Sequence, residues 1–383
     1  MSTTFTPSDH LPDALLERIR SRAAQVDRDN VFPEHDLIEL REAGYLRILV
    51  PEERGGAGLS LEQASVLQQR LATAAPATAL AVNMHLVWTA VALILHNRGD
   101  DSLLFLQDEA ARGEVFAFGI SEPGNDLMLF GSDTQAAPTG DGGYAFTGTK
   151  IFTSLSPVWT RLGVHGLDSA SEDRDMIVFA FIERSEAITA RDDWDTIGMR
   201  GTQSRTTDLA GAVAAADRVV RRVDPGPGPD AMQFAIFAAF TLLIASVYTG
   251  LAERAIALAG EAARARISKK SGLTRAEDPV VRSRVGAMVI THDALPLQLS
   301  ALSRDIDAGV DHGARWFSLL SGMKDRAVTA AQKVVDDAVI VAGGGAFRNG
   351  SELARLSRDV RAGIFHPTSP DAARQTAAAS VLG

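Results

Sequence analysis

The side chain with the clearest chemical potential is His366, in the run Arg358-Asp359-Val360-Arg361-Ala362-Gly363-Ile364-Phe365-His366-Pro367-Thr368-Ser369. An imidazole titrates near neutral pH and serves as acid or base, and Pro367 makes the loop around it rigid. No carboxylate lies between Asp359 and Asp371, so proton transfer at this loop falls to His366 or to water. Upstream, Gly343, Gly344 and Gly345 form a stretch that either lets main-chain N–H groups come close to a ligand or caps a helix. Arg264, Arg266, Lys269, Lys270, Arg275, Arg282 and Arg284 crowd one region, which fits a polyphosphate or a solvated surface equally well. A second imidazole, His85 in Val82-Asn83-Met84-His85-Leu86-Val87-Trp88, reads first as a satisfied histidine on an apolar helix and second as a pocket residue. Arg200 and Arg205 fit anion recognition or surface salt bridges.

Bulk properties narrow the chemistry. The chain has 383 residues, enough for two or three domains, and no cysteine, which excludes disulfides, thiolate nucleophiles and zinc–thiolate sites. The absence of thiols agrees with a cytoplasmic location, and Met1 to Pro12 lacks a signal-peptide pattern. The formal charge of −10 is uneven: residues 228–383 carry 18 basic and 15 acidic side chains, so the acidic excess sits entirely in the first part. That balance disfavours nucleic acid as a partner.

Elements that position these residues follow from periodicity. Apolar residues at helical spacing run through Leu15 to Gly44, Leu61 to Leu71, Thr78 to Leu95 and Ser102 to Arg112, giving a helical domain over residues 1–115. From Phe116 the pattern alternates, with Tyr144 to Thr153 and Met176 to Ile182 as strands and Gly140 to Gly143 as a turn, so residues 116–223 predict an antiparallel β domain. Asp224 to Asp230, rich in proline and glycine, is a linker. Residues 231–383 predict a helical bundle, with helices over Ala231–Arg266, Asp278–Ala308, Ala314–Ala342 and Glu352–Arg361. Ala231 to Ala252 has no charged residue and is long enough to span a bilayer. Its internal Gln233, Thr241, Ser246 and Thr249 and the lack of flanking aromatic belts favour all-round burial in a bundle or a subunit interface over a membrane.

Five motifs in order carry a resemblance: Pro51-Glu52-Glu53-Arg54-Gly55-Gly56-Ala57-Gly58, Ser121-Glu122-Pro123-Gly124, Lys150-Ile151-Phe152-Thr153-Ser154, Gly198-Met199-Arg200-Gly201-Thr202 and Asp217-Arg218-Val219-Val220. Over nearly its whole length the chain resembles the acyl-CoA dehydrogenase superfamily. The resemblance implies an α+β fold with an N-terminal helical domain, a middle antiparallel β domain and a C-terminal four-helix bundle. It also implies a flavin, FAD with FMN open, and a homotetramer.

Site residues carried over on these motifs are Ser121 and Ser154 as hydroxyls near the flavin and Phe152 as the aromatic beside its ring, where the family has a tryptophan. Arg266 is implied as a pyrophosphate ligand, although Lys269 and Lys270 replace the phenylalanine and glycine that follow it. Gly343 and Gly344 resemble the family's Gly-Gly-Asn-Gly-Phe, whose backbone approaches the cofactor of a neighbouring subunit, with Ile340 at the usual glutamine. By spacing, Leu127 and Met128 stand where the family has a phosphate-binding serine and aspartate.

The family's catalytic glutamate is missing. Alignment on Arg358-Asp359 places the usual tyrosine–glutamate pair on His366 and Pro367, and the alternative glutamate position on the first bundle helix is Phe240. Three readings follow. One is a flavin-dependent oxidoreductase acting on an acyl-CoA thioester or a related small molecule, with His366 or water as base. Another is a two-component monooxygenase that takes reduced flavin from a reductase partner, His366 assisting the oxygen chemistry or deprotonating a substrate hydroxyl. The third is a flavin-binding scaffold without turnover.

Overall fold

The computed structural model describes residues 5–170 and 174–382. Six helices precede the sheet: α1 (Pro7–His10), α2 (Asp13–Asp29), α3 (Glu34–Glu42), α4 (Leu61–Ala74), α5 (Pro76–His96) and α6 (Leu104–Ala111). Local sequence explains where they begin. Ser60 and Gln63 form a reciprocal capping box at the start of α4, and Pro76 occupies the first turn of α5, where no N–H is needed.

Eight strands follow: β1 (Phe116–Gly119), β2 (Gln135–Pro138), β3 (Tyr144–Thr153), β4 (Arg161–Asp168), β5 (Met176–Glu183), β6 (Ile188–Ala190), β7 (Arg205–Ala214) and β8 (Val219–Val223). They form one sheet ordered β6-β7-β3-β2-β4-β5-β8, with β1 beside β4. The expectation of a purely antiparallel domain is corrected here: β1 and β2 each pair in parallel with β4. β2 and β3 are joined by the Gly140–Gly143 turn and are antiparallel, as that turn requires. By contrast, all four residues of β1 are buried, and an unbroken apolar run shows neither a face nor a direction in sequence.

The second helical set is α7 (Ala231–Ala265), α8 (Pro279–Asp307), α9 (Arg315–Ala342), α10 (Glu352–Asp359) and α11 (Pro370–Leu382). Asp230 and Asp278 cap α7 and α8. α7, α8 and α9 pack together, α11 lies on α9, and α4 and α5 close over the first half of α7. α11 was not separated in the sequence, because its alanine-rich run shows no strong apolar stripe. Close approach of α4 to α7 depends on Gly250, where an added Cβ would lie 2.0 Å from the Gln69 carbonyl oxygen.

Three helices, α5, α7 and α8, are apolar and long enough to cross a membrane by length and composition. The most apolar windows of α5 and α7 are 94% and 83% buried within the fold, while that of α8 is 28% buried. Val280, Ile290 and Leu297 of α8 lie exposed.

Candidate functional site

One corner of the sheet gathers three of the predicted residues. Ser121 follows β1, and its carbonyl accepts a 2.9 Å hydrogen bond from the Ile151 N–H, placing it against the end of β3. Pairing of β3 with β7 slips between Lys150 and Thr153, and Phe152 adopts φ 58° at that slip. Its ring stays 53% exposed and meets Trp194 edge-on at 6.3 Å. Leu155, Met199 and Gln203 in the same corner also have positive φ. Such backbones cost on the order of 1 kcal/mol each in non-glycine residues and persist where the surroundings over-determine them.

Ser154 is buried and belongs to a hydroxyl chain whose proton direction is fixed. Thr202 Oγ1 donates to the Met199 carbonyl at 2.9 Å, so it accepts from Ser204 Oγ at 2.7 Å. Ser204 has then spent its only proton, and Ser154 must donate to it across 2.7 Å. The Ser154 oxygen therefore presents only lone pairs to anything else that approaches.

The loop of His366 is held from two helices. Tyr248 on α7 pairs its hydroxyl with His366 Nε2 at 2.8 Å. Lys324 on α9 donates to the carbonyls of His366 and Thr368 at 2.8 and 3.0 Å. Burial and then the Lys324 charge push the imidazole pKa down to about 3, so His366 is neutral at physiological pH. Burial lowers Lys324 to about 8, against the opposing pull of Asp325. Burial also raises the Tyr248 phenol well above its ordinary value, with Asp359 adding to the effect. Phe240, the other candidate position for a base, stacks on Phe118 with ring centroids 5.4 Å apart.

Sequence reasoning missed Tyr248, Lys324, Thr202 and Ser204. A signal existed for Lys324: it sits between Leu320 and Val328 on the buried stripe of α9, where a lysine needs a partner.

The nearby carboxylates are structurally committed. Asp359 is buried, accepts a 2.6 Å hydrogen bond from the Met199 N–H, and has its pKa raised to about 6 chiefly by burial. Glu122 accepts from Lys150 Nζ at 2.6 Å, from Ser132 Oγ and from the backbone N–H groups of Asp133 and Thr134. Burial alone would raise Glu122, but Lys150 and these donors outweigh it and hold the carboxyl well below the usual range. Lys150 also donates to the His165 carbonyl and Nδ1, and His165 Nε2 donates to the carbonyls of Met128 and Gly131. A Gly131-Ser132-Asp133 tripeptide follows Leu127 and Met128, and its Ser132 is turned toward Glu122.

Arg266, Gly343 and Gly344 lie together at the far end of the bundle. The Arg266 guanidinium rests against Gly343, where an added Cβ would come within 3.0 Å of it, and Arg275 lies beside the same glycine. Arg266 is exposed and forms no ion pair among the described residues. At 1.5 Å rise per residue, the stretch of α7 from Tyr248 to its end near Arg266 spans roughly 27 Å. Tyr248 and the His366 bonded to it thus lie well away from the arginine and glycines along the bundle, while Ser121, Phe152 and Ser154 gather at the sheet corner.

His85 is a core residue. Its Nδ1 accepts from the Phe116 N–H at 3.2 Å and its Nε2 donates to the Leu46 carbonyl at 2.6 Å, which fixes the neutral tautomer. Arg200 bonds the Asp27 carbonyl and Asp195, and Arg205 bonds Gln203 and Asp192, so both hold loops.

Comparison with known proteins agrees with this architecture. Residues 9–101 match the family described as acyl-CoA dehydrogenase, N-terminal domain, and residues 242–369 match acyl-CoA dehydrogenase, C-terminal domain. Dibenzothiophene monooxygenase of Rhodococcus erythropolis is 30% identical over 288 residues, covering 72% of this chain and 67% of that protein. L-evernosamine nitrososynthase of Micromonospora sp. is 26% identical over 358 residues, covering 92% of this chain and 84% of the relative. The structure of KijD3 in complex with FMN and dTDP-3-amino-2,3,6-trideoxy-4-keto-3-methyl-D-glucose superposes with a TM-score of 0.83 at 26% identity, over 100% of this chain and 95% of that one. With helical, sheet and bundle layers in the same order and relatives that are flavin enzymes, this chain belongs to the acyl-CoA dehydrogenase superfamily and is a flavin-dependent oxidoreductase.

Proposed function

We propose that the chain is a reduced-flavin-dependent monooxygenase acting on a small organic molecule. One observation carries this reading: Phe240 and the His366 loop, the two places where the resemblance would put a catalytic glutamate, are already engaged. Phe240 is stacked on Phe118, and the His366 loop is tied to Tyr248 and Lys324. Two buried carboxylates, Asp359 and Glu122, are bound to backbone and lysine donors. Removing an unactivated α-proton needs a positioned base, whereas oxygen transfer draws its reactivity from the cofactor.

The sheet corner fits a flavin ring. Phe152 offers a half-exposed aromatic face held in a strained backbone, and Ser154 offers an oxygen that only accepts. An accepting oxygen suits the N5–H of a reduced flavin, which the oxidised ring lacks, whereas N3–H is present in both forms. When bound, the reduced flavin supplies two electrons, so that one atom of O2 enters the substrate and the other leaves as water. Phe152 and Ser154 would orient the ring, and the His366 loop would close the opposite wall.

The split of the site bears on the cofactor. FMN requires only the ring corner and one phosphate, and KijD3 was solved in complex with FMN. FAD would reach its second phosphate only if Arg266 and Gly343 came from a second copy of the chain, which is a reason to propose a homo-oligomer built on the apolar face of α8. A flavin reductase is the proposed source of electrons. Relatives named nitrososynthases and dibenzothiophene monooxygenase place amino sugars and sulfur heterocycles among substrates to test first.

The test is oxygen-dependent product formation. Purified protein supplied with reduced FMN, oxygen and a panel of aromatic heterocycles and amino sugars should yield a product 16 mass units heavier or a further oxidised derivative. Anaerobic bleaching of bound oxidised flavin by an acyl-CoA, without any oxygenated product from the panel, would replace this reading with dehydrogenation.

A further inference from the structure

We infer that His366 works as a hydrogen-bond donor through Nδ1 and not as a proton acceptor, its tautomer set by Tyr248 and its loop set by Lys324. The inference rests on His366 belonging to the reactive site, as proposed above.

The argument begins with the Tyr248 proton. Tyr248 is fully buried, and its hydroxyl has one hydrogen-bond partner among the described residues, His366 Nε2 at 2.8 Å. If Nε2 carried the proton and donated to the phenol oxygen, the phenol proton would be buried without an acceptor, which is the costlier arrangement. With Tyr248 donating, Nε2 supplies its lone pair and the ring proton resides on Nδ1. Nδ1 has no hydrogen-bond partner among the described residues and is not among the buried unpaired atoms, so this N–H keeps some access for a ligand.

Protonating the ring is opposed from both packed helices. Lys324 on α9 brings an ammonium to the His366 carbonyl, and α7 offers only the neutral Tyr248. Asp359 acts on Tyr248, and Asp325 acts on Lys324. Neither forms a hydrogen bond or ion pair with the imidazole among the described residues. The depressed imidazole pKa agrees with this geometry. Lys324 also spans the carbonyls on both sides of Pro367, which prevents the loop from turning the ring. What this N–H recognises is an acceptor atom that gains negative charge during the reaction, such as a carbonyl or a reacting oxygen.

Two measurements decide it. Nitrogen-15 NMR of histidine-labelled, FMN-loaded protein should show His366 protonated at Nδ1, and Tyr248→Phe should shift the population toward Nε2–H. A wild-type signal protonated at Nε2 would overturn the inference. The second measurement is the rate at which dissolved oxygen reoxidises bound reduced FMN, followed by stopped-flow absorbance. His366→Asn keeps an N–H near the Nδ1 position but takes no proton, and it should stay within about tenfold of wild type, while His366→Ala changes the rate by about 100-fold. Equal defects in Asn and Ala variants would assign a base and sink the donor role. An unaffected Ala variant would show that His366 lies outside the reaction, and the NMR result would still report whether the tautomer assignment stands.

Discussion

The Met199 N–H donates a 2.6 Å hydrogen bond to Asp359 Oδ1, fastening the sheet corner of Phe152 and Ser154 to the helix that leads into the His366 loop. The approach is possible because residue 198 is glycine: an added Cβ would lie 2.3 Å from the Arg358 carbonyl. Met199 in turn accepts from Thr202, which accepts from Ser204, which accepts from Ser154. Ser154 and the His366 loop are thus linked through one hydrogen-bonded path.

Asp359 should make stability depend on mild acid. Burial raises its folded pKa to about 6 from the ordinary 3.8, so between those values the folded chain holds a proton that the unfolded chain has released. Stability then falls as pH rises through this window, by on the order of 3 kcal/mol for this group. Urea unfolding at pH 4.5, 5.5 and 7 should show that trend in the wild type relative to Asp359→Asn. Parallel curves for the two proteins would contradict it.

His85 behaves in the opposite sense. Its folded pKa is lowered to about 4, chiefly by burial, so it contributes stability above its ordinary 6.5 that is lost as pH falls toward 4. His85→Ala leaves the Leu46 carbonyl and the Phe116 N–H unpaired and should cost about 3 kcal/mol in chemical denaturation. Flavin affinity of the folded variant should be unchanged, because among the described residues the ring bonds Leu46 and Phe116 and not Ser121, Phe152 or Ser154.

Phe152 should separate stability from cofactor binding. Its ring is half-exposed and its backbone strained, so Phe152→Gly should leave the flavin-free protein equally stable or more stable by about 1 kcal/mol. Fluorescence titration should show flavin affinity reduced at least about tenfold through loss of the aromatic face. Unaltered affinity would remove Phe152 from the site.

Arg266 should distinguish the cofactors. Arg266→Ala removes an exposed guanidinium without an ion-pair partner among the described residues, so the melting temperature should stay within about 1 °C. FAD affinity should fall about tenfold or more through a lost phosphate contact, while FMN affinity stays constant. Equal loss for both flavins would mean that Arg266 reaches the phosphate they share.

Much of the architecture was legible because it rests on local rules. Helical periodicity marked Ala231–Ala265 and Arg315–Ala342 to within a residue or two, and the proline-rich linker marked the change from sheet to bundle. Parallel pairing of β1 was not legible, since a fully buried strand has no alternation to reveal its neighbours.

By itself the sequence determined the family, the helical and sheet segments and the presence of an imidazole at 366. Tertiary structure alone decided the protonation pattern: that Ser154 only accepts, that His85 is a core ligand of two backbone groups, and that Tyr248 and Lys324 govern His366. Hydrogen-bond direction depends on which partners meet across more than a hundred residues of chain, as Tyr248 and His366 do. Local propensity carries no record of such meetings, because only packing of α7 against α9 and the final loop brings the two side chains together.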